Sequence, residues 1–222
     1  MSSHTGRQKT TFEKILRILG NRRIAWATIA VTLSMMSLFL VPHAYFVILT
    51  FIATSVMIAA SYLTGNLQFK KPLHAKNIFV GTLSALVLYA IFYLGNIGVN
   101  LFLIPGFEAS GEASIYSLIS SPSNPLELQV VLLLFDAVGY EAFFRGVLQK
   151  NLNGRLGLGA APMVAMFDAL LHVATLNPLW VGTTFVADLC WGLTYRYGRG
   201  LQASVSSHYL WDITIFILRP IV

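Results

Sequence analysis

The 222-residue sequence has little charge and only one cysteine. That residue, Cys190, excludes an intramolecular disulfide and any metal site built from several cysteines. Charged residues make up only 11% of the chain, against about 25% in ordinary soluble domains. Hydrophobic residues make up 56%. This balance excludes a disordered chain, a coiled coil and a soluble enzyme with a polar shell, and it predicts a protein embedded in lipid.

Long apolar stretches take up most of the sequence. A bilayer core about 30 Å thick needs roughly 20 apolar residues per helix, and about seven stretches come near that length. They cover residues 24–41, 44–63, 78–103, 126–149, 158–176, 179–197 and 201–218. A segment in lipid must satisfy its backbone polar groups internally, so each stretch is predicted to be a helix. We therefore expect an all-α, polytopic integral membrane protein with about seven to eight transmembrane helices.

Basic residues are distributed unevenly between the predicted loops. Six of them precede the first span, and most of the others lie in loops on the same side of the membrane. The opposite loops carry Glu108, Glu112 and Glu127 and, apart from Arg219, almost no basic residue. The positive-inside rule therefore predicts a cytoplasmic N-terminus. Membrane topology accounts for the net charge of +6, so nucleic acid is not expected as a partner. The lack of a recognisable targeting signal suggests a prokaryotic plasma membrane.

The chain is predicted to have three parts. Residues 1–23 form a basic cytoplasmic segment, which is either a short amphipathic helix on the inner leaflet or a solvated tail. Residues 24–125 hold the N-terminal membrane helices and an external loop rich in Gly, Ser and Pro, placed to cover or gate whatever lies beneath it. Residues 126–222 hold the remaining membrane helices. Nothing in the sequence fixes the oligomeric state.

Ionisable side chains inside the predicted spans are the informative feature. Each costs about 2.5–3.5 kcal/mol to insert at the centre of a membrane helix, so its presence calls for a function or a partner. All of them lie in the last four spans: Asp136, Glu141, Arg145, Asp168, His172, Asp188, His208 and Asp212. Six form pairs four residues apart, which places the members of each pair on one helix face: Glu141 with Arg145, Asp168 with His172, and His208 with Asp212. The C-terminal half is therefore predicted to hold the polar site.

Three kinds of chemistry use such a set of side chains. A carboxylate with a histidine activates water for hydrolysis, two histidines with a carboxylate bind zinc, and a chain of acids and histidines relays protons through a carrier. Structural interpretations also stand. Glu141 with Arg145 is equally well a neutralising salt bridge, and His208 with Asp212 a hydrogen bond between packed helices. Many carriers have two related halves, and no such repeat is visible.

Three short motifs resemble those of one protein family. Residues 140–146, YEAFFRG, resemble the first motif of the CAAX-protease and bacteriocin-processing family, E-E-x-x-x-R ending in F-R-G. Residues 167–172, FDALLH, resemble the second, F-x-x-x-H, and residues 208–212, HYLWD, the third, H-x-x-x-N or H-x-x-x-D. The order of the motifs and their placement on separate spans also match. The resemblance extends from Leu126 onward.

The resemblance implies a membrane-embedded endopeptidase of the type II CAAX prenyl endopeptidase kind. Such a glutamate-type intramembrane protease needs no metal and no other cofactor. Its substrate would be a C-terminal or membrane-adjacent segment of a protein, or a lipidated peptide. Carried over to this chain, the resemblance assigns Glu141, His172 and His208 as core site residues. Arg145 and Asp212 are the supporting groups.

The chain departs from the family pattern at two positions. Tyr140 stands where the family has its first glutamate, the general base, and Asp168 stands where it has phenylalanine. A phenol, with a pKa of about 10, is a poor base at neutral pH. The exchange predicts that Asp168 replaces the missing glutamate beside His172. In a rival hypothesis Glu141 is the base.

Two alternatives from other functional classes remain open. Loss of the first glutamate is also compatible with a catalytically silent membrane scaffold or immunity partner. The other alternative is a proton-coupled carrier.

Overall fold

The computed structural model describes residues 21–40, 45–66, 74–102, 116, 125–198 and 200–221. The structure is 92% helical, with no strand in these ranges. This confirms the all-helical prediction. The predicted N-terminal basic segment, up to residue 20, and most of the predicted external loop lie outside the described residues.

The helices follow the predicted apolar stretches to within a few residues. The N-terminal half contains α1 (Arg22–Leu40), α2 (Phe46–Leu63) and α3 (Ala75–Phe102). In the C-terminal half, α4 (Leu126–Glu141) continues into a π-helix (Ala142–Gln149) and α5 (Lys150–Leu156). Next come α6 (Ala160–Leu171), α7 (Pro178–Tyr197) and α8 (Leu201–Ile213), and α8 ends in a π-helical segment (Thr214–Leu218).

Four stretches of the described chain are long and apolar enough to cross a membrane. They are Arg22–Leu40, Phe46–Leu63, Ala75–Val99 and the composite stretch Leu126–Thr175. The predicted count of seven to eight spans is therefore not confirmed. Helix α8 has only 13 residues before its π-helical end, and α7 carries Asp188 and Arg196 among several hydroxyl and glycine residues. Large apolar side chains such as Trp26 and Phe79 are 69% exposed, as expected for helices that face lipid.

A turn at Gly157 folds the chain back on itself between α5 and α6. Its φ of +57° is a left-handed conformation that glycine adopts without the steric cost of a Cβ. Helix α6 then packs mainly against α7, and it meets α4 and the π-helix where Tyr140 contacts Asp168 and the ring of Phe144 lies 6.3 Å from that of Phe167. The α-helical geometry of α6 ends at Leu171, and a 3-10 turn carries the chain over His172–Thr175.

Helices α2 and α4 cross closely at Gly139. A Cβ atom at this position would lie 2.5 Å from Cγ2 of Thr54, so a larger side chain would push the helices apart. The close crossing lets the Thr54 hydroxyl reach the carboxylate of Asp136. Gly139 and Asp136 lie one turn apart on the same face of α4, so the glycine helps to bring the acid within reach of Thr54.

Candidate active site

Arg145 lies at the centre of a fully buried ionic cluster. Its Nε donates to Glu141 Oε2 at 3.2 Å, and its Nη1 donates to Gln149 Oε1 at 3.3 Å. The rest of the guanidinium binds Asp188, reaching both carboxylate oxygens and, at 2.9 Å, the backbone carbonyl. A planar, forked donor suits this bidentate contact. The cluster joins the π-helix to α7, and π-helical segments occur frequently at functional sites.

Glu141 links this cluster to His208. Its Oε1 accepts from His208 Nδ1 at 3.0 Å, while Nε2 of the same ring lies 3.4 Å from Asp212 Oδ2. The ring of Trp191 stacks on the imidazole with centroids 3.6 Å apart and planes 12° apart. His208 is therefore held on both edges by carboxylates and on one face by an indole.

Tyr140 and Asp168 form the second polar group. The Tyr140 hydroxyl donates to Asp168 Oδ2 and also lies 3.2 Å from Asp188 Oδ1. Asp168 Oδ1 is buried and has no hydrogen-bond partner among the described residues, although His172 Nδ1 lies 3.8 Å away. Nδ1 of His172 lies 3.0 Å from the Asp168 backbone carbonyl. The two residues exchanged relative to the family pattern are thus in direct contact.

A cavity of about 670 Å³ lies beside these groups. Its walls are mostly apolar and come from α1, α2, α3, α4, α7 and α8, with the 3-10 turn after α6 and the π-helical end of α8. The ionisable side chains on the walls, within the described part of the chain, are Tyr116, Asp136, Tyr140, His172 and Asp212. Three of the predicted site residues (Glu141, Arg145 and Asp168) are fully buried behind this wall.

The structure brings all six predicted site residues into one region. Three of them meet partners that the sequence did not indicate: Arg145 meets Asp188, Glu141 meets His208, and Asp168 meets Tyr140. In no part of the described chain do three or more His, Cys, Asp or Glu side chains converge with metal-binding geometry.

Sequence reasoning places Asp136 and Asp188 inside predicted spans without assigning them to the site, and the structure brings both of them to it. The signal for Asp136 was its position four residues before Tyr140, on the same helix face. Asp188 gave no local signal, because its partner lies 43 residues away on another helix.

Comparison with protein families places these observations in context. A family described as type II CAAX prenyl endopeptidase, Rce1-like, matches residues 122–214. This region resembles the CAAX prenyl endopeptidases. The match covers less than half of the chain, but it contains all three motifs, and it confirms the resemblance read from the sequence. The CAAX endopeptidase family consists of membrane proteases that act on protein substrates. No curated protein and no solved structure matches the chain significantly.

Proposed function

We propose that the protein is a membrane-embedded endopeptidase that cleaves a C-terminal or membrane-adjacent segment of a protein substrate. The observation that carries this proposal is the cavity, where Tyr140, His172 and Asp212 come together from separate parts of the family-matched region. Apolar walls suit a lipid-borne or hydrophobic substrate segment. The few polar groups then supply the chemistry of hydrolysis.

His172 is suited to hold the attacking water. A backbone carbonyl only accepts hydrogen bonds, so the contact with the Asp168 carbonyl requires the proton to be on Nδ1 of His172. In the neutral ring, Nε2 then carries the lone pair. His172 lines the cavity, so this nitrogen is the one available to accept a hydrogen bond from water.

His208 is suited to position other groups of the site. Both of its ring nitrogens face carboxylates, and carboxylates only accept, which favours an imidazolium that donates on both sides. The stacked indole of Trp191 adds a cation–π contact. Both N–H groups are thus directed at carboxylates, and His208 does not line the cavity, so it would act by fixing Asp212, which does line it. Glu141 and Arg145 would act by holding His208 in place.

Asp168 would act through its neighbours. Its carboxylate lies close to His172 Nδ1 and accepts from Tyr140, so it would orient the imidazole and stabilise any positive charge on it. In this way the carboxylate that the sequence suggested as a replacement base supports catalysis without touching the water.

The proposal is tested by cleavage of a panel of membrane substrates. Purified wild-type protein in detergent would be assayed on prenylated and unprenylated peptides with hydrophobic C-termini, alongside His172→Ala, His208→Ala and Asp168→Asn. We expect the histidine variants to lose activity by about 10²–10⁴-fold. Asp168→Asn should lower kcat by a smaller factor. Wild-type activity in both histidine variants would refute the assignment.

A silent membrane partner is the second candidate function, and Tyr140 is the observation that favours it. A protein that retains only the scaffold of a protease should tolerate loss of both His172 and His208. Its physiological activity would then survive in the double alanine variant. No substrate in the panel would be cut by the wild type.

We also infer that the N-terminus is cytoplasmic. The basic residues before α1 and after α2 support this orientation. Fusion of alkaline phosphatase or green fluorescent protein to the N-terminus would test it. Phosphatase activity at that end would contradict the orientation, and fluorescence would agree with it.

A further inference from the structure

We propose that Asp136 is the catalytic carboxylate of this site. It would replace, from one helical turn earlier on α4, the glutamate that is absent at position 140. The inference rests on the endopeptidase function proposed above. It concerns a residue that none of the three sequence motifs contains.

Three of the five acids in the last four predicted spans are poorly placed to act on water in the cavity. Glu141, Asp168 and Asp188 are fully buried, and none of them lines the cavity. Both carboxylate oxygens of Glu141 and of Asp188 are already engaged by other side chains. Asp168 lies behind the ring of Tyr140, which occupies the cavity wall in front of it.

Two acids remain on the cavity wall, and they differ in what holds them. Asp212 is 4% exposed, and its Oδ2 lies 3.4 Å from His208, so it is engaged in holding the imidazole. Asp136 is half-buried, and its Oδ1 accepts from the Thr54 hydroxyl at 2.8 Å. Nothing in the described part of the chain donates to its Oδ2. Asp136 therefore has one oxygen held by Thr54 and the other available to a water molecule.

Asp136 and His172 both face the cavity, one from α4 and the other from the 3-10 turn that follows α6. The two helices touch where Tyr140 meets Asp168. Asp136 lies one turn before Tyr140 on α4. His172 lies one turn after Asp168, at the start of the 3-10 turn that continues α6. Compared with a carboxylate at position 140, the one at 136 is displaced by about 6 Å along the helix axis.

This placement gives a complete hydrolytic step. Oδ2 of Asp136 accepts one proton from a water molecule, and the second hydrogen of that water is donated in a hydrogen bond to Nε2 of His172. The water oxygen forms a bond to the scissile carbonyl carbon, and the carbonyl π electrons move onto its oxygen to give an oxyanion. The carbon–nitrogen bond then breaks, and the proton on Asp136 passes to the leaving amine. The products are a carboxylic acid and an amine, and no oxidant or cofactor is consumed.

The decisive variant is Asp136→Asn. Asparagine has the same shape and still accepts from Thr54, but it does not take a proton. We expect kcat to fall by about 10²–10⁴-fold with little change in KM, because the group acts in the transition state. Glu127→Gln is the matched control, since it removes an exposed acid from the same helix, and it should retain wild-type kcat.

A second measurement separates catalysis from folding. Asp136→Ala leaves a space into which formate can diffuse, and added formate should raise kcat in that variant. It should not do so in His172→Ala. Undiminished kcat in Asp136→Asn overturns the role of Asp136. If Asp136→Asn fails to fold, failure of formate to raise kcat in Asp136→Ala overturns it instead. If Asp136→Asn is fully active while His172→Ala is inactive, the proposed endopeptidase function stands and Asp136 is not its base. If the wild type cleaves nothing, both proposals fail.

Discussion

Removing the guanidinium of Arg145 should destabilise the protein strongly. Arg145 is fully buried and donates to Glu141, Gln149 and Asp188. In Arg145→Met, buried Asp188 loses its cationic partner and Glu141 keeps only His208, and breaking a buried ion pair from one side costs about 3–5 kcal/mol. A chain of this size loses about 2–4 °C of melting temperature per kcal/mol, so we expect a decrease of roughly 6–20 °C. Thermal unfolding in detergent, followed by tryptophan fluorescence, measures it.

Three companion variants make this test specific. Arg145→Lys keeps the charge but lacks the planar fork, so it should fall between wild type and Arg145→Met. Adding Asp188→Asn to Arg145→Met should recover part of the loss, because the uncompensated charge is then gone. Arg219→Met, at an exposed arginine, is the control and should melt like wild type. A melting temperature for Arg145→Met equal to that of the control would refute the buried cluster as a source of stability.

Three further predictions concern single contacts. Tyr140→Phe deprives the Asp168 carboxylate of its donor, which should cost about 1–3 kcal/mol in thermal unfolding and lower kcat; unchanged stability would contradict the contact. Gly139→Val should clash with Thr54 across the α2–α4 crossing and reduce both stability and activity, whereas a fully active, equally stable variant would show that the helices separate freely. Asn177→Ala removes the side-chain cap of α7 and should cost about 0.5–2 kcal/mol, while Asn177→Asp should restore it.

Much of the predicted site follows from the spacing of residues along single helices. The i, i+4 pairing of Glu141 with Arg145 appears as a 3.2 Å contact, and that of His208 with Asp212 as a 3.4 Å contact. Contacts of this kind follow from helical geometry alone, so they can be inferred before any helix is packed. The same holds for the all-helical fold, because long apolar stretches leave few other ways to satisfy the backbone in lipid.

Contacts between helices that are far apart in the sequence could not be inferred from residue spacing. The partner of Arg145 at Asp188 is 43 residues away, and that of Glu141 at His208 is 67 residues away. These pairings depend on how each helix is rotated about its axis, and several rotations satisfy the same apolar pattern.

The sequence by itself determined that the chain is helical, that the ionisable side chains inside its predicted spans lie after Leu126, and that three motifs resemble those of the CAAX endopeptidase family. Only the tertiary structure decided which acids face the cavity. Asp136 lines it, while Glu141 and Asp168 lie behind the wall. Composition and spacing fix which helix face a side chain occupies, but exposure to a cavity is set by the neighbouring helices. Those neighbours come from distant parts of the chain.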